Sequence, residues 1–104
     1  MPKYLVLYRA SKTAGEQMAG STPEERQEGM NAWMAWADKA GSAIVDFGNP
    51  TEPVSDPGGG LPIGGYSILE ADDADAINQV LDGHPHAAMG GTIAVYEIMP
   101  APGM

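Results

Sequence analysis

The sequence predicts an α+β domain of ferredoxin-like βαββαβ order, with an antiparallel sheet and two helices on one of its faces. Three observations carry that reading. Short runs rich in β-branched and aromatic residues begin at Tyr4, Ala43, Ile63 and Thr92. Two stretches with apolar residues at helical spacing separate them so that the order is strand, helix, strand, strand, helix, strand. The length of 104 residues leaves room for one such unit and little more, so residues 1–104 are expected to form a single domain.

The elements follow in order. Residues 4–9, bounded by Pro2 and by Ser11-Lys12, read as the first strand. Residues 10–21 contain Gly15 and Gly20 and read as a connection with a turn of helix over residues 16–19. Thr22, Pro23 and Glu25 then supply a capping threonine, a proline at the first helical position and a glutamate three residues after the cap. Met30, Trp33, Met34, Ala37 and Ala40 continue at helical spacing and Gly41 is placed as the stop, so a helix is expected over residues 23–40. Trp33 is expected on its buried stripe and Trp36 toward the edge, with the methionines filling the core.

Residues 43–47 form the second expected strand. Residues 48–62 hold Pro50, Pro53, Pro57 and Gly58-Gly59-Gly60, and read as a loop or an irregular hairpin arm. Connections of that length are usually functional or disordered. Residues 63–70 resume as a strand. Asp72 or Asp73 caps a second helix with Ala74, Ile77, Val80 and Leu81 inward, and Gly83 ends it. After a loop over residues 84–91, residues 92–98 form the last strand, and Pro100, Pro102 and Gly103 a frayed tail.

A sheet with helices on one face leaves the other uncovered. Part of the set Tyr4, Val6, Tyr8, Ala43, Val45, Phe47, Tyr66, Ile68, Tyr96 and Ile98, or its alternates, must lie there. So large an apolar patch exceeds what a soluble monomer usually tolerates, and a homodimer is expected.

Composition removes several classes of function. A net charge of −9, from 14 acids against 5 bases, cannot neutralise phosphates, which argues against nucleic-acid binding and against anionic membrane surfaces. The absence of cysteine excludes disulfides, thiolate catalysis and cysteine–zinc sites. No apolar run approaches the roughly 20 residues of a membrane span. The opening residues enter a strand without a charged-then-apolar leader, so a cytoplasmic protein is expected.

Few residues stand out as chemistry. His84-Pro85-His86 places both histidines of the chain together. They form a general-base pair or part of a metal site, or else one of them caps a helix end while Pro85 shapes the turn. Asp46, in an otherwise apolar strand, faces solvent or a pocket, where burial would raise its pKa and suit it to proton transfer. Arg9 suits an anionic ligand, and Glu97 is an odd charge late in the last strand. Tyr66 and Trp36 are the further candidate substrate contacts, Trp36 serving otherwise as packing. Pro57-Gly58-Gly59-Gly60 lacks the ending of a phosphate loop, and Gly64-Gly65 and Gly90-Gly91 fail the dinucleotide pattern. No serine sits in a nucleophile elbow, and no organic cofactor is expected.

The chain resembles the YCII-related family, in particular its DGPF-type branch. The resemblance rests on residues 3–8, Met30 to Trp36 followed by Gly41, residues 64–71, His84-Pro85-His86, and residues 91–100, in that order and spacing. It implies a dimeric α/β barrel in which two sheets pack face to face. Some relatives are implicated in removing chloride from chlorinated hydroxyquinones, a His/Asp pair in a cleft has been proposed as catalytic for YCII-like members, and other relatives are linked with extracytoplasmic-function sigma factors. The first helix here lacks the histidine such members can carry, and Arg26 and Asn31 are its nearest polar residues. A His/Asp pair would therefore use His84 or His86 with Asp46.

Two functions stand against each other. One is a cofactor-free lyase or isomerase in which His84 or His86 moves a proton, Asp46 assists and Arg9 holds a phenolic or anionic substrate under the 48–62 arm. The other is a non-catalytic dimeric module that binds a ligand or protein, with a regulatory role. A metal held by His84, His86 and a carboxylate is a third, lesser option.

Overall fold

Alternation along the first strand assigns the two faces of the sheet. In the computed structural model, which describes residues 1–102, β1 (Lys3–Arg9) lies between β3 (Ile63–Glu70) and β4 (Thr92–Ile98) and is antiparallel to both. The short β2 (Ile44–Asp46) pairs with the outer edge of β3, giving the order β2-β3-β1-β4. Tyr4, Val6 and Tyr8 turn toward the helices and are buried with Leu69, Trp36, Ala71 and Ile77. Burying large apolar side chains such as Val6, Leu69 and Ile77 contributes roughly 1.5–3 kcal/mol each. The architecture is the expected ferredoxin-like α+β fold. Gly103 of the expected tail lies outside the described residues.

The opposite face carries Leu5 and Leu7, with register partners Ile68 and Tyr66 on β3 and Tyr96 and Ala94 on β4. Tyr4, Val6 and Tyr8 thus leave the set offered for the open face, whereas Tyr66, Ile68, Tyr96 and Ile98 belong to it. Tyr96 and Ile98 are 56% and 45% exposed in the single chain.

The helices begin where their caps are written. Thr13 and Glu16 form a capping box, so α1 (Ala14–Ala19) starts two residues before the expected turn. Thr22 and Glu25 do the same for α2 (Pro23–Ala40), which Gly41 ends at φ 56°. Asp73 caps α3 (Ala74–Leu81) by accepting from Ala76 N at 2.8 Å. The expected loop after Gly83 instead holds a one-turn helix, α4 (Pro85–Ala88), started by His84 and by proline at its first position. Among the described residues no helix is long and apolar enough to cross a membrane.

The buried stripe of α2 is rotated from the expected one. Trp36 is buried and Trp33 half-buried, and together with Ala37 and Ala40 they form the inward i, i+3, i+4, i+7 set. At 100° per residue that set leaves Met34 on the flank, while Met30 lies a turn nearer the helix start; they are 50% and 54% exposed. Met18, Met89 and Met99 are exposed as well, so these methionines do not fill the core.

The 48–62 segment is a tethered hairpin arm. Pro50 bridges Gly65, Thr51 N and Oγ1 donate to the Gly64 and Ile63 carbonyls, and Ala10 N donates to Pro62 O. The Glu52 carboxylate accepts from Gly15 N, tying the arm to α1. The arm leaves β2 through Gly48, whose φ is 86° and where any β-carbon would collide with the Tyr66 carbonyl.

Candidate functional site

His84 stands at the junction of three elements. Gly83, at φ 72°, turns the chain out of α3, and the His84 side chain packs between Trp33 and Trp36 of α2 and Tyr8 of β1. There it is fully buried. Its ring stacks on Tyr8 (centroids 5.0 Å apart, planes at 26°) and meets Trp33 and Trp36 at 4.5 and 4.4 Å. Trp33 also packs edge-on against Tyr8 at 4.8 Å, and Phe47 closes the far side at 6.1 Å from Trp33. The result is an aromatic box around an imidazole.

The electrostatics of the box follow from its hydrogen bonds. His84 Nδ1 accepts the backbone N–H of His86 at 3.0 Å, which caps α4. The ring proton therefore sits on Nε2, a buried atom with no hydrogen-bond partner. Burial, and secondarily the neighbouring His86, lowers the His84 pKa from 6.5 to about 4, so the ring is neutral at physiological pH. His84 thus caps a helix at the start of α4, whereas the capping reading of the motif put that role at the end of α3.

His86 is arranged differently. It is half-buried, meets the Tyr8 ring edge-on at 5.4 Å, and its Nε2 lies 2.7 Å from the Arg9 carbonyl. A carbonyl only accepts, so Nε2 donates, and among the described residues His86 Nδ1 has no hydrogen-bond partner. Beneath the box, Tyr8 OH donates to Ser67 Oγ at 2.9 Å and Ser67 donates to Phe47 O at 2.6 Å. Burial raises the Tyr8 pKa, keeping the phenol protonated.

The other expected site residues are distributed around this centre. Trp36 walls the box, donates its indole N–H to Val80 O at 2.9 Å, and borders an open depression of about 330 Å³ with Ala32, Lys39, Asp82 and Pro85. Arg9 contributes its backbone carbonyl to His86, while its guanidinium donates to Leu61 O at the foot of the arm. Asp46 accepts from Gly48 N at 2.8 Å and hydrogen-bonds neither histidine; its register partner, Ile68, belongs to the open face. Tyr66 also lies on that face, paired with Leu7. Glu97 is the register partner of Tyr4 and is exposed. Among the described residues, no three histidine or carboxylate groups converge as a metal site.

Tyr8, Trp33, Phe47 and Ser67 complete the site and were not among its expected members. Ser67 had a legible signal, a lone hydroxyl in an apolar strand where only a hydrogen-bonded polar group survives burial.

A family model for the YCII-related domain matches residues 3–102. No curated protein matches the chain. Among solved structures it is similar to the 5-chloro-2-hydroxyhydroquinone dehydrochlorinase of Burkholderia phenoliruptrix AC1100, in complex with 2,5-dihydroxybenzoquinone. The TM-score is 0.58 at 19% identity, over 94% of this chain and 95% of that chain, a likeness of fold.

Proposed function

The chain belongs to the YCII-related family, and from that membership we propose that it is a cytoplasmic, homodimeric, cofactor-free enzyme of lyase or isomerase type, of the DGPF branch, working by histidine acid–base chemistry. The observation that carries the reading is the buried neutral His84, whose Nε2 has no partner, inside a box of Tyr8, Trp33 and Trp36. A buried donor without an acceptor costs about 1–3 kcal/mol, which a ligand oxygen would offset. Aromatic walls favour a flat ring. A hydroxylated ring joins both requirements, and the quinone-bound dehydrochlorinase of the same fold supplies a probe of that class.

His86, beside Tyr8, completes the acid–base pair, and Arg9 at the foot of the arm holds a phenolate or other anion. Asp46 and Tyr66 contribute from the sheet side, Asp46 by shaping the Gly48 turn and Tyr66 by lining the contact between two copies.

Calorimetric titration with 2,5-dihydroxybenzoquinone, together with chloride release from chlorinated hydroxyhydroquinones, tests the reading. Binding is expected, with turnover that falls about a hundredfold in His86→Asn. Binding of hydroxylated rings without turnover of any would instead support the non-catalytic ligand-binding module. No binding and no turnover would remove the enzyme reading.

A further inference from the structure

We infer that the two histidines divide the work: His84 is a fixed hydrogen-bond donor to an oxygen of the bound molecule, and His86 is the base. The inference rests on the acid–base reading above and narrows its substrates to flat rings in which an enol hydroxyl is conjugated with a carbonyl oxygen.

The hydrogen bonds impose the division. His84 Nδ1 is occupied by the His86 N–H, so this ring has no free lone pair, and its Nε2–H is buried without an acceptor on a ring packed against Tyr8, Trp33 and Trp36. To act as a base it would have to break the cap that starts α4. A neutral imidazole that donates is a known way to polarise a carbonyl or hold a developing oxyanion. His86 is the inverse case. Its Nε2 proton is committed to the Arg9 carbonyl, which leaves the Nδ1 lone pair free on a half-buried ring. Both rings pack against Tyr8, at 5.0 and 5.4 Å between centroids, so one bound ring near Tyr8 can reach both.

In the step that follows, His86 Nδ1 takes the proton of a ring hydroxyl. The O–H electron pair closes a new carbonyl, the double bond between the two oxygen-bearing carbons shifts, and negative charge arrives on the former carbonyl oxygen, where His84 Nε2–H holds it. His86 ends as an imidazolium whose other proton stays on Nε2, donated to the Arg9 carbonyl. Return of the proton from the imidazolium to the ring carbon between the two oxygen-bearing carbons then gives the diketo isomer, which needs no oxidant. Trp36 walls both the box and the outer depression.

Histidine-edited ¹⁵N NMR on the full chain tests this at pH 7.5, free and with 2,5-dihydroxybenzoquinone. His84 is expected to be neutral with its proton on Nε2, His86 is expected to carry a proton on Nε2, and the probe is expected to shift the His84 Nε2–H resonance. A His84 proton on Nδ1, or a probe that binds by calorimetry yet leaves His84 Nε2–H unmoved, would overturn the inference while the enzyme reading stood. Absence of both binding and turnover would remove that reading, and this inference with it. In turnover, His84→Gln, which keeps a donor, should retain more activity than His84→Phe. His86→Asn should lower kcat about a hundredfold while probe affinity stays within about threefold. Equal losses in His84→Gln and His84→Phe would also overturn the donor role.

Discussion

The imidazole of His86 occupies the space that a β-carbon at Gly91 would fill. Gly91 is therefore required for room rather than for an unusual backbone angle. It also donates its N–H to the His86 carbonyl at 3.0 Å, so α4 and the start of β4 close around this one side chain. In Gly91→Ala the fold should persist, because the colliding atoms are the far end of a side chain that can rotate outward. The expected loss of stability is about 1 kcal/mol, the worth of one hydrogen bond. Histidine NMR should show that His86 has left the Arg9 carbonyl, and ligand turnover should fall with it. Unchanged His86 resonances would contradict this account.

The Tyr8–Ser67–Phe47 chain makes an asymmetric prediction. Ser67→Ala strands a buried phenol proton and leaves the Phe47 carbonyl without its donor, at a cost of about 1–3 kcal/mol. Tyr8→Phe leaves Ser67 still donating to Phe47 O and empties only one acceptor position, so it should cost clearly less. Urea denaturation of the two variants beside the parent measures both. Equal losses would mean that the Tyr8 hydroxyl does not rely on Ser67.

How far the site could be read from the chain is seen in the same residues. The Thr22–Glu25 box, Pro23 and Gly41 state the ends of α2 locally, and those ends are where the local signals put them. Thr13 and Glu16 state α1 as plainly. The inward face of α2 is another matter. A helical period identifies a stripe but not its rotation against a sheet, which is how Trp36 and not Met34 comes to be buried. His84 is beyond local reading altogether, since its burial depends on Trp33 and Trp36, some 50 residues earlier, and on Tyr8 at the other end of the fold. Asp46 depends on a register shift between Ile44 and Asp46, which changes the parity of a three-residue strand.

Stability should rise with pH across the His84 titration. The unfolded imidazole binds a proton near pH 6.5, whereas the folded one does so only near pH 4, so between these values the unfolded state holds more protons. The contribution is complete above about pH 6.5 and is lost as pH falls through about 4. Allowing for solvent screening in so small a domain, it is on the order of 2 kcal/mol. Urea midpoints at pH 7.5 and 4.5 measure it against carboxylate titration common to all variants. His84→Phe should flatten the difference by that amount, and an identical pH dependence in the variant would show that His84 is not the group responsible.

The open face of the sheet leads to the last prediction. Leu5, Leu7, Tyr66, Ile68, Ala94 and Tyr96 form a continuous apolar surface across three strands, on the side away from His84. In the homodimer proposed above, a second copy of the same face would cover it with the same residues, as two-fold symmetry requires. Each copy carries a net charge of −9, so association should strengthen as salt rises from about 10 to 150 mM and screens the repulsion. Sedimentation of the parent should then show a dimer whose fraction grows with salt. Tyr96→Glu places a carboxylate on this face, at the most exposed of its apolar side chains, and should sediment as a monomer with an unchanged circular dichroism spectrum. Because Tyr96 faces away from the box, its histidine resonances should keep their parental tautomers. A parent that remains monomeric at 150 mM salt would require some other cover for this face.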